Sequence, residues 1–209
     1  MLGTLFLSLM FCLPAQDSAQ KVKVLFLGDK GHHQPVMRFR QLAAAWANQP
    51  IVLEYTEDLK VLNGKTLEKY DALMIYANHP KIEPDQEKAL LEYVRSGKGF
   101  LPLHCASYCF LNSPEYIKLV GAQFQRHGTG TFRTNIKDPL HPILDGLPGI
   151  ESWDETYVHT KHNLTGRTVL ETRTEGNGEE PWTWVREEGK GRVFYTAWGH
   201  DERTFGHPG

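Results

Sequence analysis

Apolar residues in the first half of the chain come in short, nearly unbroken runs. Val22–Leu27 (VKVLFL), Ile51–Tyr55, Asp71–Ala77 (DALMIYA) and Phe100–Leu103 are of this kind. Runs of this length without polar alternation predict strands buried on both faces. Between them the period changes. Val36, Phe39, Leu42, Ala43 and Trp46 fall at helical spacing, as do Ala89, Leu90, Tyr93 and Val94. Pro35 and Pro84 stand at the helix starts, where a missing N–H costs nothing. Pro50 closes the first helix and Gly97 the other. The stretch around Leu59, Leu62 and Leu67 reads as loop with a short helical turn. Alternating strands and helices predict an α/β fold, an open parallel sheet flanked by helices.

Past Phe110 the texture changes. A short helix is predicted from Ser113-Pro114 through Ile117 and Val120. Phe124–His127 and Thr131–Ile136 read as extra extended segments, and Asp138–Pro142 as turns. Trp153–His159 (WDETYVH) alternates as one strand, and Thr168–Thr172 reads as another. Pro181–Arg186 and Arg192–Trp198 form a strand pair around the charged turn Glu187–Gly191.

The stretch Gly97–Phe110 (GKGFLPLHCASYCF) is where chemistry is expected. A buried strand, blemished by Pro102, runs into His104-Cys105-Ala106-Ser107, and ligands of parallel sheets bind at the carboxyl ends of strands. Other strands lead to His32 and His33, to His79 and to His200, while Glu155 lies within WDETY. Three histidines, or two and a carboxylate, suit a divalent metal such as zinc with an open position. The expected ligands are His104, His200 and Glu155, which also stand as the catalytic groups. Taken singly, each histidine is better explained as a loop residue or a hydrogen-bonded, half-buried one; it is the set at strand ends that points to a site. His127 is within reach of the site but unassigned, and His141 reads as a turn residue. Tyr157 shares the face of Glu155 if the strand is regular. Trp198, beside the rim, is the candidate for stacking on a ligand, while Trp182 and Trp184 read as core or rim. A second constellation is Cys105 with His200 and Glu202, in the chain order of a cysteine triad. Against it, Cys105 lacks the flanking glycines of a nucleophile elbow, and a small, inert, buried thiol is the plainer reading.

With 209 residues and a net charge of −2, the chain suits one domain and carries no nucleic-acid footprint. Ten histidines are many for this length and point toward ligand or metal chemistry. Leu2–Leu13 has the length of a signal-peptide core and is too short to span a bilayer. Residues 1–19 therefore read as a signal peptide cut before Gln16 or Gln20, although no Lys or Arg precedes the core. The expected location is periplasmic or extracellular. Cys12 follows Phe11, a poor setting for lipidation. Cys105 and Cys109 then remain, too few for a disulfide framework.

Taken in order, GKGFLPLHCAS, VGAQFQRH, HPILDGLP, WDETY and GKGRVFYTAWGHDERTFGHPG resemble the ThuA-like, trehalose-utilisation family from about Val22 to the last residue. The resemblance implies a flavodoxin-like, class I glutamine amidotransferase-like fold for residues 20–209. It also implies a role in carbohydrate metabolism, near keto-disaccharides such as those derived from trehalose; a separate sugar oxidoreductase is the partner expected if the chain is a non-catalytic module. The family's motif histidines map onto His33, His104 and His200, its acidic residue onto Glu155, and its terminal His-Pro onto His207-Pro208. The substrate contacts expected are His33, Tyr157, Trp198 and His207. The Cys-His-Glu pattern of amidotransferases matches less well, because the Gly-rich strand aligns His104, not Cys105, with the nucleophile. Family members continue past the His-Pro motif into a closing helix, so the chain reads as a fragment or the front of a longer protein. Three readings follow: a sugar-active enzyme, a cysteine hydrolase, or a non-catalytic sugar-binding module.

Overall fold

In chain order the elements are β1 (Val22–Leu27), α1 (Pro35–Ala45), β2 (Ile51–Thr56), α2 (Gly64–Leu67), β3 (Ala72–Ile75), α3 (Pro84–Arg95), β4 (Gly99–Pro102) and α4 (Pro114–Val120). There follow β5 (Gln123–Arg126), β6 (Thr129–Arg133), β7 (Asn135–Ile136), β8 (Glu151–Glu155), β9 (Val158–Thr160), β10 (Arg167–Glu175), β11 (Gly178–Glu188), β12 (Gly191–Thr196) and α5 (Glu202–Phe205). This computed structural model describes residues 21–147 and 149–208. The apolar run Leu2–Leu13, Cys12 and the two cleavage positions lie outside the described residues. Among the described residues no helix is long and apolar enough to cross a membrane.

Eight strands form the main sheet in the order β2-β1-β3-β4-β12-β11-β10-β7. From β2 to β12 neighbours are parallel, and from β12 to β7 antiparallel. The unbroken apolar runs are explained by cover on both faces. Leu25, Leu27, Leu73 and Ile75 join a core with Leu90 and Val94 of α3 and Leu119 and Val120 of α4. On the other face Val24, Phe26, Ala72 and Met74 pack with Phe39 and Leu42 of α1 and with Trp46 just after it. Each such fully buried side chain contributes about 1.5–3 kcal/mol.

Pro102 is tolerated for a local reason. Backbone N–H groups alternate sides along a strand. The Leu103 N–H bonds Ile75 O in β3 at 2.9 Å, so the missing donor of Pro102 falls toward β12. The β4–β12 ladder lapses there, between Phe100–Val193 and the bridge Leu103–Thr196.

The segment Trp153–His159 is not one strand. It breaks at Thr156-Tyr157, with β8 pairing β6 and β9 pairing β5. Its partners are themselves parted by the loop His127-Gly128, so the chain must change partner opposite that loop. Thr131–Ile136 divides likewise, β7 leaving to join the main sheet.

Candidate metal centre

His33 lies in the loop between β1 and α1 and is buried. His104 comes two residues after β4 with φ of 46°, a left-handed angle that is uncommon for a non-glycine residue. Gly199 lies against it with φ of 131°, where an added Cβ would be strained and would crowd Phe205 at 3.1 Å, while meeting His104 Cβ at an ordinary 3.5 Å. His104 Nδ1 donates to Ala197 O at 2.7 Å, which turns Nε2 toward the centre. Glu155 ends β8, and His200 follows β12 in a turn.

Asp154 holds that turn. Its carboxylate is fully buried and accepts the N–H of Gly199 at 2.8 Å, the N–H of His200 at 3.2 Å and the hydroxyl of Thr204 at 2.7 Å. It also accepts the N–H of Glu155 at 2.7 Å. On the other side of the turn the Tyr76 hydroxyl donates to Gly199 O at 2.5 Å.

One ligand atom from each of His33, His104, Glu155 and His200 lies within 4.8 Å of every other. His104 Nε2 is 3.2 Å from Glu155 Oε2, and His200 Nδ1 is 3.2 Å from Glu155 Oε1. Two donors each about 2.1 Å from one ion, at tetrahedral or octahedral angles, stand about 3.0–3.4 Å apart. His33 Nε2, His104 Nε2 and His200 Nδ1 have no properly aligned hydrogen bond among the described residues. An unsatisfied buried polar atom costs about 1–3 kcal/mol, and a divalent cation would satisfy all three at once. The donor set, three imidazole nitrogens and a carboxylate, suits zinc or a neighbouring transition metal.

The electrostatics agree with that fit. Burial first, and then the charges of His104 and His32, lower His33 to about 2, so its ring is neutral and offers a lone pair. Burial alone would raise the Glu155 carboxyl, but His104 and His200 outweigh it and hold the group well below the usual carboxylate range. Glu155 in turn raises His200, against that ring's partial burial.

Residues 23–209 match the family model described as trehalose utilisation, ThuA. The chain belongs to the ThuA family. No curated protein matches it. Among solved structures it resembles a ThuA-like protein from Bacteroides uniformis, with a TM-score of 0.78 at 18% identity, covering 94% of this chain and 89% of that one. A ThuA-like protein from Parabacteroides merdae gives 0.70 at 17%, covering 88% and 84%. A β-galactosidase from Rahnella sp. R3 gives 0.62 at 15%, covering 88% of this chain and 30% of the enzyme. At these identities the likeness is one of fold.

Within this ThuA domain the other expected residues part company. Tyr157 is buried and stacks on His104, ring centres 4.3 Å apart. Trp198 does not offer a stacking face at the rim. It is 5% exposed, lies flat on Phe132 at 4.6 Å and meets Trp182 edge-on, so it belongs to the core. Trp182 and Trp184 are core as well. His207 follows α5, its N–H bonded to Thr204 O at 3.1 Å, and is not one of the four converging residues. His79 bonds Gly28 O at 3.0 Å, a structural contact.

The cysteine triad is not assembled. Cys105 is buried against Val24, Phe26 and Tyr76 on the α1 face, and burial pushes its thiol well up. Glu202 is exposed and its carboxylate lies 3.4 Å from Arg38, not on His200. Two residues at the centre escaped the sequence reading of their roles. Asp154 should face away from Glu155 in an alternating strand, and nothing in its spacing announces a clamp. His127, whose Nε2 lies 3.5 Å from Glu155 Oε1, had only its proximity to suggest it.

Proposed function

We propose that this ThuA-family chain is a metal-dependent protein that acts on a carbohydrate, a trehalose-type or keto-disaccharide sugar, and that His33, His104, Glu155 and His200 hold the ion. The observation that carries the reading is the convergence, within 4.8 Å, of one carboxylate and three imidazole nitrogens that have no properly aligned hydrogen bond among the described residues. The family supports the carbohydrate role. A divalent cation held there would supply Lewis-acid polarisation of a sugar carbonyl or hydroxyl oxygen. The protein's own groups do the rest. Glu155 stays ionised and shares its two oxygens between His104 and His200. The Ala197 carbonyl fixes the His104 ring, and Tyr157 closes the wall behind it. Asp154 keeps the His200 turn in register with Glu155. His200, 23% exposed, is the ring among the four converging residues best placed to exchange a proton with a bound sugar.

The test is metal analysis of protein purified without chelator, followed by assays on trehalose and its keto derivatives before and after chelation. One tightly held ion per chain, with sugar turnover lost on its removal and restored on its return, is the expected result. Protein that takes up no divalent ion, or that works equally well without one, refutes the metal-dependent reading.

A further inference from the structure

We propose that His127, with Tyr108 and Phe124, forms the sugar subsite of this centre, a place for a pyranose ring bearing neighbouring hydroxyls; the proposal rests on the sugar-active reading above. His127 is not one of the four converging residues. Its Nε2 lies 3.5 Å from Glu155 Oε1, beside the cluster rather than within it. It is also the open one. Its side chain is 38% exposed, against 0% for His104 and 9% for Glu155.

One ring nitrogen is held by a backbone carbonyl. His127 Nδ1 donates to Gly128 O at 3.0 Å, which in the neutral ring leaves Nε2 as an acceptor facing the centre. The same carbonyl takes the Thr156 N–H at 2.8 Å, and the Gly128 N–H donates to Thr156 Oγ1 at 3.0 Å. Thr156 directly follows Glu155, so these bonds fix His127 against the carboxylate. The approach needs glycine, because an added Cβ at Gly128 would come to 3.1 Å from Thr156 Oγ1.

Beside His127 runs an aromatic wall. Tyr108, 44% exposed, meets Phe124 edge-on at 5.4 Å. Phe124 lies 5.8 Å from His127 and 4.5 Å from Tyr157, which covers His104. Such a site, apolar rings with a few fixed polar atoms, suits a ligand with a C–H face and a hydroxyl edge. A pyranose has both. Its C–H face meets Tyr108 and Phe124, one hydroxyl donates to His127 Nε2, and the adjacent oxygen turns toward the four-residue cluster.

Calorimetric titration with trehalose, alongside metal analysis and thermal melts, on wild type, His127→Ala, His127→Gln and Tyr108→Ala tests this. The expected result is unchanged metal content and folding in all variants. Trehalose should bind about tenfold more weakly to His127→Ala and about three- to tenfold more weakly to Tyr108→Ala. His127→Gln should recover part of the loss, since its amide oxygen accepts the same hydroxyl. Wild-type affinity in both alanine variants overturns the subsite, as does wild type that binds no trehalose at millimolar concentration. Loss of metal from His127→Ala also overturns it, by making His127 a ligand. If wild type binds trehalose without any ion and His127→Ala abolishes that binding, the subsite stands and the metal-dependent reading falls.

Discussion

At His104, a backbone angle and a side chain are both committed to the centre. The left-handed turn aims the ring and the Ala197 carbonyl fixes its tautomer, while the next residue, Cys105, is turned into the opposite face of the sheet. His104→Ala should therefore lower metal affinity on the order of a hundredfold or more, read by competition with a chromophoric chelator. Cys105→Ser should leave metal and sugar binding within about threefold, its cost confined to the packing around one small buried group. The buried rings also set a pH dependence. His33 and His159 are both lowered by burial, so unfolding lets each take up a proton below the ordinary histidine range. The share of the chelated protein's stability that these two rings carry should thus be full above about pH 6.5 and fall as pH drops below it, by at most about 1.4 kcal/mol per unit for each ring. The raised His200 acts in the opposite sense, its share present below about pH 6.5 and lost as pH rises above it. Urea midpoints across that range check the sign, and a flat profile in both His33→Gln and wild type would count against it. His33, His104 and His200 were legible because strand ends of a parallel sheet converge, whereas Glu155 reaches the same place from β8, outside that sheet. Trp198 misled because nearness to the rim in sequence says nothing about which neighbour, here Phe132, takes the ring's face.

At the scale of elements, β8 carries two adjacent carboxylates with different tasks. Glu155 faces the imidazoles, and Asp154 binds the backbone of the Gly199-His200 turn and the start of α5. Asp154→Asn keeps the shape but places an amide donor among donors. It should destabilise the fold by about 1.5–3 kcal/mol and weaken metal binding by misplacing His200. Asp154→Asn that melts early yet binds metal as wild type would leave the clamp structural only. The parallel half of the fold was readable from its apolar runs and proline and glycine punctuation. The break between β8 and β9 was not, because WDETYVH keeps its alternation across the point where the partner strand changes. Alternation reports which face is buried, not which strand lies alongside.

For the molecule as a whole, the sheet brings together residues far apart in the chain, and the ThuA resemblance extended to the family that the comparison returns. The antiparallel extension β11-β10-β7 was visible as extended segments but not as part of one sheet, since pairing across such distances leaves no local signal. Export is a separate proposal that rests on Leu2–Leu13 alone. N-terminal sequencing of the exported fraction should begin near Gln16 or Gln20, and a cytoplasmic product that keeps Met1 would contradict it. The lapse in pairing at Pro102 has its own consequence. It lies in the last parallel pair of the sheet, β4 with β12, and His104 and His200 follow the two strands that flank it. An ion gripped by both would act as a rivet across that lapse in the ladder. Amide protons of Phe194–Thr196 should then exchange with deuterium faster in chelated protein than in loaded protein, so that a gap in the scaffold's own hydrogen bonding reports whether its centre is filled.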